Sequence, residues 1–382
     1  GDVGSGKTVV AAMAALQAID NGFQVAMMAP TEILAEQHFR RLSEWFSPLG
    51  VSVVWNSGSM KKKVREQVVS RIQTGEASLV IGTHALIQDA VQFSRLGLVI
   101  VDEQHRFGVG QRLVLRNKGE SHAMLPHQLM MSATPIPRTL AMTFYADLDV
   151  SVIDELPPGR KPVMTRLVSQ ERREEVVGRI RAAAMLGRQI YWVCPLIEES
   201  ESLQLQTAID THTILTEALP GLVVGLVHGR MKPDEKQHVM AAFQEGRIQV
   251  LVATTVIEVG VDVPNASLMV IEHAERFGLS QLHQLRGRVC RGSWYPYCIL
   301  KSKEKENPRL VTMVNTTNGF EIAKADIEQR GMGDLLGVAQ SGSSHYMDQI
   351  LAMPNLYSSV KKYAEMLISN HMEEKLIEMY ES

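Results

Sequence analysis

The first eight residues, Gly1-Asp2-Val3-Gly4-Ser5-Gly6-Lys7-Thr8, form a complete G-x-x-x-x-G-K-T phosphate-binding loop. Its glycines let backbone N–H groups turn inward around a row of phosphates, Lys7 can reach the β and γ phosphates, and the Thr8 hydroxyl can ligate Mg2+. The spacing therefore predicts a nucleoside triphosphate site made of Gly1, Gly4, Ser5, Gly6, Lys7 and Thr8. A lone match of this kind also arises by chance, so its surroundings decide. Val9 to Ile19 is an alanine-rich apolar stretch of helical character. The N-terminus of such a helix points partial positive charge at bound phosphates. Gln24 to Ala29 then reads as a buried strand. A further strand is expected to feed the loop from the other side; the sequence opens without it and without Met, as a fragment of a longer protein would.

A second set of chemical groups follows the apolar run Leu98 to Val101, where Asp102-Glu103-Gln104-His105 begins. Carboxylates at the C-terminal tip of a parallel strand share a sheet edge with the phosphate loop, the edge at which open α/β sheets bind ligands. Asp102 is expected to hold Mg2+ through water, and Glu103 to orient and deprotonate an attacking water. Two carboxylates in a loop are otherwise merely solvated; the loop at Gly1 to Thr8 in the same lobe favours the chemical role. Ser132-Ala133-Thr134-Pro135 after the run Leu129 to Met131 is a weaker signal for a link between the nucleotide and whatever crosses the cleft. Arg288 and Arg291 lie three apart, on one face of a helical turn, and guanidinium groups suit the spreading of phosphoryl charge.

These groups need two similar scaffolds. Up to about residue 154, short β-rich runs (Val51 to Trp55, Leu79 to Ile81, Leu98 to Val101, Leu129 to Met131) alternate with helical patterns, the signature of a parallel sheet covered on both faces. Residues 155–162 hold three prolines and a glycine, which neither helix nor central strand accepts, and read as a linker. A second series has strands at Gln189 to Val193, Val223 to Val227, Gln249 to Val252 and Leu268 to Ile271. The expected division is a first lobe over 1–154, a linker over 155–162, a second lobe over 163–302 and a helical tail over 303–382. That tail should end in a Met-rich charged helix around Val360 to Met379. The fold class is α/β, two tandem parallel-sheet lobes with a small helical C-terminal extension.

Length and composition agree: 382 residues allow two to three domains, and 45% hydrophobic residues suffice for real cores. A net charge of −3 gives no bulk positive field, so binding to a polyanion must be local. Three cysteines, Cys194, Cys290 and Cys298, lack C-x-x-C spacing and suit a reducing compartment. No apolar run reaches membrane-spanning length, and cytoplasmic location is expected. Lys61-Lys62-Lys63-Val64-Arg65 is a basic cluster, read first as a solvated helix face and second as a DNA contact.

In order, GDVGSGKT, APTEILAEQH, GTHALI, DEQH, SATP, ATTVIEVGVDVP and QLRGRVCRG resemble a superfamily 2 helicase or translocase over nearly the whole chain. Within it, DEQHRFGV, SATPIPRTLA, YADLDVSVIDELPP, YWVCPLIEESE and HGRMKPDEK are similar to the RecG family of bacterial ATP-dependent DNA helicases. The resemblance implies RecA-like lobes, ATP and Mg2+ as cofactors, and remodelling of branched DNA at stalled forks and four-way junctions in repair and recombination. It implies Arg288 and Arg291 as arginine fingers, Gln284 beside them, and Asp262 at the nucleotide. Thr31, Thr83, His84 and Thr254 become DNA contacts, and Arg309, Arg330 and Gln340 belong to a translocation motif in the tail. A monomer is implied, with a single-strand-binding protein as a further partner and a nucleoid-associated location. The sequence departs from the family at Cys290, Met332 and Ala339, where glycine, proline and arginine are usual. Two alternatives stay open at this point: the related motor of a transcription-repair coupling factor, and a catalytically weakened DNA-binding fragment.

Overall fold

The structure is a computed structural model. It describes residues 1–58, 60–88, 91–103, 125–133, 149–155, 157, 161–195, 201–254, 263–289, 294–304, 306–330, 363 and 366. Two compact units are present: residues 1–134 with 153–317, and residues 135–152 with 318–382. The first unit contains both parallel sheets.

The first sheet has five strands, β1 (Gln24–Met28), β2 (Val53–Asn56), β3 (Leu79–Gly82), β4 (Leu96–Val101) and β5 (His127–Met130), in the order β2-β3-β1-β4-β5. Every pairing is parallel. β1 and β3 are buried along their whole length, as expected of strands covered on both faces. Helices α1 (Lys7–Asp20), α2 (Glu32–Phe46) and α3 (Lys62–Gln73) connect them. Ala11, Ala12 and Ala15 bury one face of α1 against Val25, Met27 and Ile100. Small side chains there let the helix that carries the phosphate loop lie close to the sheet.

The second sheet has six parallel strands: β6 (Met164–Ser169), β7 (Gln189–Cys194), β8 (Val224–Val227), β9 (Val250–Thr254), β10 (Ala266–Ile271) and β11 (Tyr297–Ser302). Their order is β6-β11-β10-β7-β9-β8. Helices α4 (Arg173–Met185), α5 (Glu201–Ala218), α6 (Pro233–Gln244) and α7 (Leu279–Arg286) accompany it, and α8 (Pro308–Asn315) follows. β6 and β11 are not among the strands the sequence announces. β6 mixes polar and apolar residues without strict alternation just after a proline-rich stretch, and β11 carries Lys301, which is 0% exposed. A charged residue inside a buried run hides the strand.

Reading β7, β8, β9, β10 and β11 against β1, β2, β3, β4 and β5 reproduces the order of the first sheet. The second sheet adds β6 beside β11. The second unit contains α9 (Gly319–Arg330), where the amide N–H of Phe320 donates to Asn318 Oδ1 at 2.9 Å. Tyr363 and Met366 are helical; the rest of the expected Met-rich helix lies outside the described residues.

Candidate functional site

The phosphate loop is shaped by Gly4 and Gly6, whose φ values of 69° and 99° are cheap only for glycine. Gly6 caps α1, so Lys7 and Thr8 are the first helical residues and their neighbouring N–H groups face outward. No acidic residue sits in the first turn of α1, leaving the positive end of the helix uncompensated. Lys7 Nζ donates to the carbonyl oxygens of Gly1 and Asp2 at 2.8 and 2.6 Å. The Ser5 hydroxyl, on a residue 7% exposed, has no hydrogen-bond partner among the described residues. A buried hydroxyl without a partner at the N-terminus of α1 fits a triphosphate, whose oxygens would satisfy it. No group of three or more His, Cys, Asp or Glu residues suited to a metal occurs among the described residues. A Mg2+ held by Thr8, Asp102 and phosphate oxygens needs no such cage.

Asp102 and Glu103 extend β4 on the same edge. The Asp102 N–H donates to Met28 O at 2.9 Å, continuing the ladder, and Glu103 N–H donates to Asp102 Oδ1 at 3.0 Å. His38 Nε2 lies 2.8 Å from Asp102 Oδ2. Burial by itself raises the carboxyl's pKa, but the His38 hydrogen bond, with smaller help from the Lys7 charge, holds it below the usual value. Asp102 is thereby kept as a carboxylate next to Lys7. Glu103 has φ 50°, a left-handed conformation costing on the order of 1 kcal/mol in a non-glycine residue. Its Oε2 accepts from the amide of Ala133 at 3.4 Å, which ties the acidic tip to the strand end at Met131 to Ala133.

The second lobe reaches this edge through α7. His283 Nε2 lies 2.5 Å from Asp2 Oδ1, and a Cβ on Gly287 would stand 2.7 Å from Val3 Cβ. Gly287 is therefore required by the close approach of the phosphate loop, and Arg288 follows it, half-buried, in a 3-10 turn over Gly287–Val289. Arg286 is 2% exposed and points away, donating from Nη1 to Met313 O and Thr316 O at 2.8 and 2.9 Å. Gln284 is half-buried on α7. Arg291, Asp262, Gln340 and the departures Cys290, Met332 and Ala339 lie outside the described residues.

The residues implied as DNA contacts fall at strand ends. Thr31 caps α2, its Oγ1 accepting from Leu34 N–H at 3.4 Å. Thr83 and Thr254 occupy equivalent positions after β3 and at the end of β9; both are buried, and both hydroxyls lack a partner among the described residues. His84 is exposed. Arg309 donates to the carbonyls of Phe277 and Glu275 at 3.3 and 3.0 Å, holding α8 to the second lobe. Arg330 ends α9. Lys61, Lys62 and Lys63 are exposed at the start of α3.

Three interacting residues escape a reading of spacing alone. His38 closes the APTEILAEQH segment yet pairs with a carboxylate 64 residues on. Asp2 occupies a freely variable position of the loop pattern, and its partner His283 is 281 residues away. Only position beside Gln284 hinted at His283.

Two family models match: DEAD/DEAH box helicase over residues 1–143 and helicase conserved C-terminal domain over residues 169–293. The chain is 56% identical to "ATP-dependent DNA helicase RecG" of Haemophilus influenzae over 377 residues, 97% of this chain and 54% of that protein. It is 58% identical to the protein of the same description from Escherichia coli K12, covering 91% of this chain and 51% of that one. The chain thus spans about half the length of the curated relatives it matches. Among solved structures, RecG bound to a three-way DNA junction superposes with a TM-score of 0.73 at 48% identity, over 87% of this chain and 44% of that one. Yeast Dbp5 bound to RNA and ADP BeF3 shares the fold at 18% identity and TM-score 0.59. No helix among the described residues is long and apolar enough to cross a membrane.

Proposed function

The chain belongs to the RecG helicases of superfamily 2, and from that membership we propose that it is the ATP-driven motor of a protein that remodels branched DNA. ATP with Mg2+ supplies the free energy of phosphoryl transfer to water. The phosphate loop, Gly1 to Thr8, would hold the triphosphate, with Asp262 as a further contact. Lys7 would exchange the carbonyls of Gly1 and Asp2 for phosphate oxygens, and Thr8 and Asp102 would hold the metal. Glu103, whose Oε2 accepts from the Ala133 amide at 3.4 Å, would act as the base that accepts the proton of the attacking water. Arg288 and Arg291, with Gln284, complete the site from the second lobe and offset charge that develops on the transferred group.

The observation that carries this reading is the meeting of Lys7, Asp102, Glu103 and the Gly287–Arg288 turn at one edge, from segments up to 281 residues apart in sequence. Thr31, Thr83, His84 and Thr254 are proposed to grip the DNA backbone, and Arg309, Arg330 and Gln340 to couple turnover to movement. The proposed division into lobes over 1–154 and 163–302, a linker over 155–162 and a tail over 303–382 follows these roles. By family membership we further propose action as a monomer near the nucleoid, with a single-strand-binding protein as partner.

The test is steady-state ATP hydrolysis by the full-length protein with a model fork and with linear duplex. Glu103→Gln should lower fork-stimulated turnover by about 10²- to 10⁴-fold; unchanged turnover would sink the assignment. Stronger stimulation by the fork is expected, and equal stimulation would remove the branched substrate while leaving the motor.

A further inference from the structure

His283 is 5% exposed, with a polar neighbour on each ring nitrogen. Its Nδ1 faces Arg286 Nη2 at 3.1 Å. A guanidinium only donates, so Nδ1 accepts and the ring proton sits on Nε2. The Nε2–H donates to Asp2 Oδ1 at 2.5 Å, and that same oxygen accepts from Val3 N–H at 2.5 Å. Arg286 cannot swing away, because Met313 O and Thr316 O hold its Nη1. The imidazole is fixed in one tautomer and one orientation by groups of the second lobe, and its one remaining bond goes to the first.

The other end of that bond is equally constrained. Asp2 serves two masters: its main-chain carbonyl receives Lys7 Nζ at 2.6 Å, while its side chain receives His283. Titratable groups that bear on Asp2 are His283, Lys7 and the Gly1 amine. Burial works against the Asp2 carboxylate, but the His283 hydrogen bond together with the Val3 amide and the His283 and Lys7 charges outweighs it, so the acid is held below its usual pKa. One turn beyond His283, the backbone of Gly287 rests on Val3.

We propose that Asp2 and His283 form a latch between the lobes that sets the position of the Gly287–Arg288 turn over the phosphate loop, making His283 a positioning residue for hydrolysis. Release of Lys7 from Asp2 O and the grip of the second lobe then pass through a single residue. Nucleotide arrival is felt by α7 without any contact between His283 and the nucleotide. This rests on the ATPase reading above, and its test is built to fail separately from it.

The experiment compares His283→Asn, His283→Gln, Asp2→Ala and His283→Asn with Asp2→Ala in the full-length protein. Glutamine extends its amide N–H to the place of Nε2; asparagine reaches only the place of Nδ1. His283→Asn and Asp2→Ala should each lower DNA-stimulated kcat by roughly 10- to 100-fold, the size of a small misplacement of catalytic groups, with KM for ATP moved less than about threefold. The double variant should be no worse than either single one, and His283→Gln should recover most of the loss. Independently of turnover, imidazole 15N shifts without nucleotide should show the Nε2–H tautomer at His283, changed by Asp2→Ala. Unaltered kcat in His283→Asn, additive losses in the double variant, or an Nδ1–H tautomer would each overturn the latch. Absence of ATPase in the unsubstituted protein would instead strike the parent reading, with the 15N spectrum still deciding the latch.

Discussion

The two sheets are variations on one plan, and their braces are alike. Gln24 opens β1 and donates from Nε2 to Ile72 O and Ala77 O at 2.9 and 2.8 Å. Gln189 opens β7 and donates to Phe243 O and Ile248 O at 2.5 and 2.7 Å. In each lobe the amide ties the central strand to the end of the helix before its neighbour, where a glycine at positive φ, Gly75 or Gly246, ends the turn. At the carboxyl edges the resemblance continues in backbone and stops in chemistry. Asp102 and Glu272 make the same ladder bond, to Met28 O and Val193 O, each at 2.9 Å. The residues after them, Glu103 and His273, are the non-glycine residues of positive φ among those described, at 50° and 48°.

What each edge faces differs. In the first lobe the carboxylates look onto a glycine-rich loop with an orphan hydroxyl. In the second, Lys301 from β11 fills the position with a protein cation, its Nζ 3.0 Å from Glu272 Oε1 and both side chains nearly inaccessible. Arg173 adds a second cation 3.8 Å from the same oxygen. The segment equivalent to the phosphate loop is the short turn Gln170–Arg172, which has no glycine. Burial pushes the Cys194 thiol up to about 12. A strained strand tip is thus a property of the shared fold, while the side chains that face it differ between the lobes.

The comparison can be broken most sharply at the strained pair. Glu103→Gln should cost kcat about 10²- to 10⁴-fold, whereas His273→Asn, which tolerates the left-handed backbone, should leave ATPase within about fivefold. Equal losses would mean that both edges take part in chemistry. Lys301→Met leaves Glu272 buried beside a distant Arg173 and should destabilise the protein by roughly 3–5 kcal/mol in urea unfolding. Adding Glu272→Gln to it should restore much of that. Gln24→Ala and Gln189→Ala each strand two buried carbonyls and should cost about 1–3 kcal/mol apiece, to a similar extent if the braces are equivalent. The smallest effect concerns acid. Because the folded pKa of Asp102 is depressed, its contribution is present above the unfolded carboxylate value and is lost as pH falls through the folded one. His38→Ala removes the depression, so acid unfolding should begin at higher pH, with a change of about 1–2 kcal/mol near neutrality.

Much of the framework was legible in the chain. Gly4, Gly6 and Lys7 carry their meaning in their spacing, because a phosphate cradle is local and needs particular φ values and one cation at a fixed offset. Val99, Ile100 and Val101 announced a buried strand, and Asp102 and Glu103 its acidic tip, because position at a parallel edge follows from strand direction. β6 was masked by its mixed polar and apolar residues at the sheet edge, and β11 by Lys301, whose burial is intelligible only once Glu272 stands beside it.

The sequence by itself determined the α/β class, the phosphate loop and the acidic strand tip, since each depends on neighbours a few residues away. Tertiary structure alone decided that His38 holds Asp102, that His283 holds Asp2, that Gly287 is there for Val3, and that one of two similar sheet edges is filled from within. Those are contacts between segments 29 to 284 residues apart, and no local pattern encodes them. Which buried charge meets which partner is settled by packing, where an unpaired charge costs most.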